Sequence, residues 1–220
     1  MIAAELISGK LFPLKKSDSI KIAMEIMNEQ NIAMLPVIDQ GKHLGYVGTS
    51  DIMDVTPQSK SISHYINAQL VSKVFAGMHL FEVIKVFGEC NSSTLSVVDE
   101  EDNFVGIIAA KELIRKIAEM NSFFEQGSIV ILQMGLNDYT LSEISRICEH
   151  NDNKILSLFI SGPDANRNIQ VHIKLSGTEI KSLIATFERF NYTVFASYQS
   201  EEDALGLKFR YDHLMKYLDL

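Results

Sequence analysis

The stretch LPVIDQGKHLGYVGTSDIM, residues 35–53, holds two short apolar runs that flank a polar turn, and it contains an acid at Asp51. Nearly the same pattern returns as LSVVDEEDNFVGIIAAKEL, residues 95–113. Gly45 aligns with Gly106, so the second copy has one extra residue in its turn. β-Branched residues crowd both copies and no helical stripe fits them, which predicts two strands joined by a turn. The repetition predicts that the chain builds the same unit twice.

Helices are predicted before and after each strand pair. Upstream of both copies, apolar residues recur at the spacing of one helix face. These residues are Ile20, Ala23, Met24 and Met27 in the first copy, and Leu80, Val83, Ile84 and Phe87 in the second. Downstream, DIMD begins a short helix and AKELIRKIAEM a longer one. Repeat 1 is therefore predicted at about residues 1–60 and repeat 2 at about 61–120.

The second half of the chain follows a different pattern. NSFFEQGS, residues 121–128, is predicted to be a linker. The segments IVILQM, ILSLFI, IQVHIKL and YTVFASY are predicted strands, and YTLSEISRICEH and SGTEIKSLIATFERF are predicted helices, the second capped by Thr178. Their order is βαββαβ, a ferredoxin-like α+β unit at 128–200. In the tail, Leu207, Tyr211, Leu214 and Leu218 have helical spacing, which predicts an amphipathic helix at 204–220 whose apolar stripe needs cover.

Composition limits the function classes. The chain has 220 residues, of which 46% are hydrophobic and 22% charged, as in a soluble globular protein. The net charge is −8 and no basic run is present, so nucleic acid is not an expected partner. No window is apolar enough to span a membrane and no secretory signal is visible, so we expect a cytoplasmic protein without a membrane partner. Cys90 and Cys148 fit reduced core thiols.

Catalytic and metal-binding patterns are not found in the sequence. The six histidines form neither HxH nor HExxH, and none pairs with a cysteine at ligand spacing. GxSxG, P-loop and GxGxxG patterns are likewise missing. We therefore expect a protein that is not an enzyme and that carries no metal or cofactor.

The first half resembles the CBS domain, whose motifs occur in tandem. The resemblance rests on the apolar-Pro-Val-apolar-Asp run at Leu35 to Asp39, on Gly45 to Asp51, and on the second copy of both. It covers roughly residues 1–120. It implies that the two βαββα-type repeats pack through their sheets around a pseudo-twofold axis. It also implies two clefts between them, which in the family often hold adenosine nucleotides such as AMP, ADP or ATP.

The resemblance also implies the ligand contacts. In the family each unit ends in Gly-apolar-apolar-Thr/Ser-x-x-Asp, and the aspartate accepts hydrogen bonds from the ribose hydroxyls, because a carboxylate can accept both donors of a diol. Here the hydroxyl positions hold Gly48 and Ala109, and Glu112 replaces the second aspartate. The candidate ligand contacts are Pro36, Val37, Gly48, Thr49, Asp51, Ala109, Lys111 and Glu112.

Structural roles are open for several of these residues. Asp51 can cap the helix that follows instead of binding a ligand, and Thr49 and Ser50 can do the same. Gly48 can serve only to relieve a tight strand-to-helix turn. Lys111, at the start of its helix, can meet a phosphate group or face solvent.

A βαββαβ unit behind a CBS pair resembles an ACT domain, a small-molecule or oligomerisation module. The CBS–CBS–ACT order resembles that of the acetoin-utilisation accessory proteins of bacteria. Many ACT domains bind amino acids at a glycine-containing turn after the first strand, but here Tyr139 stands near that position. We expect a regulatory protein that senses an adenosine nucleotide, acts on a partner protein and forms a homodimer. The alternative is a ligand-free scaffold with degenerate clefts that acts through oligomerisation.

Overall fold

The computed structural model describes residues 1–68, 73–90, 92–120 and 124–199. The chain divides into two compact units, Met1–Ala118 and Glu119–Leu220. The amphipathic helix predicted at 204–220 lies outside the described residues.

The N-terminal unit contains two three-stranded sheets of the same design. The strands are β1 (Leu14–Lys15), β2 (Met34–Asp39) and β3 (Lys42–Gly48) in one sheet, and β4 (Lys73–Phe75), β5 (Thr94–Val98) and β6 (Phe104–Ala109) in the other. The helices are α1 (Ile20–Gln30), α2 (Thr49–Ile52), α3 (Leu80–Glu89) and α4 (Ala110–Ala118). In each sheet the first strand is parallel to the second, which is antiparallel to the third. The repeat predicted from the sequence is therefore confirmed, with the order βαββα in both copies.

Strand register fixes which residues of the two repeats are equivalent. Leu14 pairs with Val37 in the first sheet, as Val74 pairs with Val97 in the second. The offset between equivalent residues is therefore 60 from β1 to β2 and from β4 to β5. After the longer second turn it becomes 61, since Gly48 pairs with Met34 as Ala109 pairs with Thr94.

The two matched glycines allow a preceding segment to cross close to the third strand. Gly45 has a φ of +144°, and a Cβ atom added there would lie 2.5 Å from the carbonyl oxygen of Asn67. A Cβ on Gly106 would lie 2.5 Å from a methyl group of Ile7, in the segment that crosses the second sheet. Both repeats therefore need glycine because a chain segment lies directly against the strand at this position.

The two sheets of the N-terminal unit are joined by buried hydrogen bonds. Tyr46 on β3 is fully buried, and its hydroxyl accepts the backbone N–H of Ser96 on β5 at 2.9 Å. The Thr94 hydroxyl donates to the carbonyl of Met34 at 3.0 Å. Ile107 of repeat 2 packs within the buried cluster of repeat 1. The repeats thus pack through their sheets, as the resemblance implied.

The C-terminal unit has the predicted βαββαβ order. Its elements are β7 (Ser128–Gly135), α5 (Leu141–His150), β8 (Ile155–Ser161), β9 (Asn168–Leu175), α6 (Lys181–Arg189) and β10 (Thr193–Tyr198). The sheet is antiparallel with the strand order β10-β7-β9-β8. Alternate residues of β9 are buried, as the sequence predicted, and these are Ile169, Val171, Ile173 and Leu175. They face α5 and α6 across the core of this unit.

One predicted cap is wrong. The N-cap residue of α6 is Ile180, and no side chain caps this helix. Thr178 lies two residues before Ile180, so it does not occupy the N-cap position of the helix. In α1, by contrast, the Ser19 side chain accepts the N–H of Ile22 at 3.3 Å, as an N-cap should.

Candidate functional site in a cleft between the repeats

A cavity of about 370 Å³ lies where segments of both repeats meet. Repeat 1 contributes residues 8, 10 and 11 and the end of α1, at 29–32. Repeat 2 contributes Ser93 and residues 109–112 at the junction of β6 and α4. The cavity therefore contains three of the predicted ligand contacts: Ala109, Lys111 and Glu112.

The end of α1 lines this cavity and contains a buried polar atom without a partner among the described residues. The helix ends at Gln30 because Asn31 adopts a left-handed conformation, with its N–H donating to the carbonyls of Met27 and Asn28. Gln30 lines the cavity, and its Oε1 atom is shielded from solvent and accepts no hydrogen bond from the described residues. A buried acceptor without a partner costs about 1–3 kcal/mol. A ligand with an N–H donor would recover this cost once a rotation of the Gln30 side chain turned Oε1 into the cavity.

Positive charge gathers at the junction of β6 and α4. The Nε and Nη2 atoms of Arg115 donate to Oε2 of Glu112 at 3.0 and 2.9 Å. This hydrogen bonding is the largest cause of the lowered pKa of Glu112, and the charges of Arg115, Lys10 and Lys111 act in the same direction. Lys10, Lys111 and Arg115 therefore all lie close enough to Glu112 to stabilise its carboxylate. The same cations can attract the phosphate groups of a ligand.

The equivalent residues of repeat 1 form a helix cap. Asp51 Oδ2 accepts the N–H of Gly48 at 2.8 Å, and Thr49 begins α2 with its own N–H donating to Ala33. The capping alternative for Asp51 thus has the required geometry, while its Oδ1 atom has no hydrogen-bond partner among the described residues.

Pro36 and Val37 lie in the interior of β2. Val37 is fully buried within the core cluster of repeat 1. Pro36 is also buried and pairs with Tyr46 of β3. Neither residue lines the 370 Å³ cavity, so their observed role is packing.

The described residues contain no group of three or more His, Cys, Asp or Glu side chains that could hold a metal ion. Nor does any helix among them have the length and apolarity needed to cross a membrane. Cys90 and Cys148 are both free thiols. Burial raises the pKa of Cys148 to about 12, so this side chain stays protonated and unreactive at neutral pH.

Family comparison agrees with the fold of the N-terminal unit. Residues 3–57 and 66–119 each match the model of the CBS domain. These two matches coincide with the two βαββα repeats. The N-terminal unit is therefore a tandem pair of CBS domains.

Similar proteins share this part of the chain. The protein MJ0188 of Methanocaldococcus jannaschii is 26% identical over 116 residues, which is 53% of this chain and 44% of that relative. The chain thus spans less than half the length of MJ0188. Among solved structures, MJ1004 of the same organism has a TM-score of 0.51 at 13% identity, covering 56% of this chain and 62% of that one. A CBS domain pair/ACT domain protein of Thermotoga maritima has a TM-score of 0.48 at 19% identity, covering 54% of this chain and 98% of that one.

Proposed function

We propose that this chain is a non-catalytic regulatory protein that binds an adenosine nucleotide in the 370 Å³ cleft between its two CBS domains. The observation that carries the proposal is the 370 Å³ cleft lined by Lys10, Gln30 and Lys111, where the buried Oε1 atom of Gln30 has no hydrogen-bond partner among the described residues. Adenine offers an exocyclic amine that can donate a hydrogen bond to such an acceptor. The cavity volume also falls within the range of roughly 300–1,000 Å³ found for small-molecule sites.

The charged residues of the cleft suggest how the rest of the nucleotide would bind. Lys10 and Lys111 line the cavity, and both lie near the Glu112–Arg115 pair. We assign the phosphate groups to these cations, because charge-assisted hydrogen bonds to phosphate are among the stronger polar contacts. The Glu112 carboxylate is already engaged by Arg115, so a ribose diol would have to compete with that pair.

Asp51, at the start of α2 in repeat 1, remains a proposed contact for the ribose of a nucleotide, with Oδ1 as the accepting atom. Gly48 and Thr49 lie beside it at the start of α2. Its second oxygen caps the helix, so a substitution there changes helix stability as well as binding. A substitution in the 370 Å³ cleft, at Gln30, therefore gives the cleaner test of nucleotide binding.

The test is isothermal titration calorimetry of the whole chain with AMP, ADP and ATP, beside thermal unfolding with the same ligands. A ligand of the folded state must raise the unfolding midpoint by mass action. Gln30→Leu should weaken binding about five- to tenfold, which corresponds to one neutral hydrogen bond. Gln58→Leu is the matched control, since Gln58 is exposed and lies outside the cleft. If no nucleotide binds, or if both variants bind as the wild type does, the sensing proposal fails.

A second candidate is a scaffold that acts by self-association as a homodimer. It is favoured by exposed apolar side chains on three helices of the CBS pair and at the end of the fourth, which are Ile22 on α1, Phe81 on α3, Ile114 on α4 and Met53 directly after α2. Sedimentation velocity at micromolar concentration should then show a species of twice 24.7 kDa. Phe81→Glu should shift it towards the monomer, whereas Gln58→Glu adds the same charge at another exposed site and should not. A monomer in the wild type would contradict the homodimer.

For the C-terminal unit we propose an ACT-type module that contributes to assembly. Support comes from the βαββαβ order and from the antiparallel strand order β10-β7-β9-β8, which is ferredoxin-like. Tyr139, after the turn that follows β7, packs against the core of the unit. A tyrosine near the turn where many ACT domains carry glycine would narrow the approach of an amino acid, so assembly is the role that we propose. The acetoin-utilisation architecture stays a prediction.

A further inference from the structure

A cavity of about 730 Å³ opens beside β1 and the turn that joins β2 to β3. Its walls come from residues 12–17, from residues 38–41, and from Ser61 and Ser63. It shares no lining residue with the nucleotide cleft. The volume is again within the range of roughly 300–1,000 Å³ for small-molecule sites.

The wall is rich in hydrogen-bond donors and positive charge. The donors are Lys15, Lys16, Ser17, Ser61 and Ser63. Within the described part of the chain, neither lysine forms an ion pair with a carboxylate. The Ser61 hydroxyl donates to the carbonyl of Lys16 at 2.9 Å and accepts the N–H of Ser63 at 3.1 Å, which ties two of the three wall segments together. Asp39 is the one acidic residue among the lining residues.

Repeat 2 offers an internal comparison for this wall. By the register offset of 60, Lys15, Lys16 and Ser17 correspond to Phe75, Ala76 and Gly77. The backbone there is the same, since Ser19 and His79 occupy the equivalent N-cap positions of α1 and α3.

The other wall segment is equivalent as well. Ser61 forms an isolated antiparallel β-bridge with Ser19, and Ile2 forms the equivalent bridge with His79. The N–H of Ile62 donates to Asp18 at 2.9 Å, as the N–H of Ala3 donates to Met78 at 2.8 Å. Ser61 and Ser63 therefore correspond to Ile2 and Ala4.

All five donors are thus replaced by non-polar residues in the equivalent place of repeat 2. The fold does not require them, because the same backbone forms without them. Lys15 and Lys16 are both exposed, so their ammonium groups are open to a ligand from solvent. An anionic group in this cavity would be attracted to both lysines and could accept hydrogen bonds from the hydroxyls.

We propose that this cavity is a second ligand site, for a small molecule that carries a phosphate group. Lys15 and Lys16 bind the phosphate as point charges on flexible stems, and the Ser17 and Ser63 hydroxyls donate to its oxygens. Phe12, which is 64% exposed, offers its ring at the cavity wall to the apolar part of the ligand. The site is independent of nucleotide binding in the cleft.

The test uses inorganic phosphate and phenyl phosphate as probes, titrated into the ¹⁵N-labelled chain at constant ionic strength with chloride as the balancing anion. Backbone amide resonances of residues 15–17 and 61–63 should shift with saturation. Phenyl phosphate should bind more tightly than inorganic phosphate because of Phe12. No saturable shift, or shifts confined to residues 109–112, would overturn the proposal, since the second result places phosphate in the nucleotide cleft.

The double variant Lys16→Ala, Ser63→Ala installs the residues that repeat 2 carries at the same backbone positions, so the fold should tolerate it. Its affinity for phenyl phosphate should fall tenfold or more, because it removes one charged and one neutral donor. Lys85→Ala is the control for net charge, since Lys85 is an exposed lysine on α3. Equal weakening in the Lys85→Ala control would show that phenyl phosphate responds only to the net charge of the protein, and the proposal would fail. The thermal midpoint of each variant checks that it is folded.

Discussion

The contact between the two CBS sheets should depend on one hydroxyl group. Tyr46 and Ser96 are both fully buried, and the Tyr46 hydroxyl accepts the Ser96 N–H at 2.9 Å and lies 3.3 Å from the Ser96 hydroxyl. Tyr46→Phe keeps the ring in place but leaves a buried backbone N–H without its acceptor. An orphaned buried donor costs about 1–3 kcal/mol. We therefore expect the free energy of unfolding of the N-terminal unit to fall by about 2 kcal/mol.

Urea denaturation of the whole chain measures this change, with hydrogen exchange of the Ser96 amide as a local readout. The matched control is Tyr65→Phe, because Tyr65 packs against the core of repeat 1 and its hydroxyl makes no hydrogen bond with the described residues. Equal stability of the two variants, or a loss below about 0.5 kcal/mol for Tyr46→Phe, would refute the reasoning. It would mean that Ser96 finds water or another acceptor at no cost.

Two further predictions concern the same unit. Burial raises the pKa of Tyr46 from 10.0 to about 12, so above pH 10 the unfolded chain loses this proton before the folded chain does. The free energy of unfolding should therefore fall as the pH rises from 10 towards 12, and urea titrations should show a smaller fall in Tyr46→Phe than in the wild type. Gly45→Ala should lower the thermal midpoint strongly, because the new Cβ atom would clash with the backbone of Asn67 and because residue 45 has a positive φ. Gly9→Ala is the control, since a Cβ atom there would have no neighbour within 4 Å, and it should change the midpoint little. Equal midpoints in the two variants would contradict the close approach at Gly45.

Much of the fold could be predicted from the sequence, because the periodicity of apolar residues and the internal repeat both depend on which residues are packed in the core. The two copies gave the strand pairs and the helices around them, and the alternation in β9 gave the buried face of the second sheet. The reason for the matched Gly45 and Gly106 was not readable, since it depends on segments that lie elsewhere in the chain, at Asn67 and Ile7.

The candidate site was only partly readable. Ala109, Lys111 and Glu112 follow a motif, and the structure places them in one cavity. Gln30 follows no motif: it is the polar residue at the end of a helical stripe, and its importance appears only when its unpaired oxygen is located. The Glu112–Arg115 pair has the i, i+3 spacing of helix neighbours, so that signal was present in the sequence.

Comparing equivalent residues of the two repeats separates those that the shared fold requires from those that are specific to one repeat. Residues that match, such as Gly45 and Gly106, meet a demand that the shared backbone makes in both copies. Gln30 is equivalent to Cys90 by the offset of 60, yet the Cys90 thiol donates to Phe87 within its own helix, while Gln30 Oε1 has no partner among the described residues. Both proposed sites therefore lie where the repeats differ, and a pair of identical repeats would have neither. The pseudo-twofold module is thus asymmetric in its chemistry, although both repeats line the nucleotide cleft.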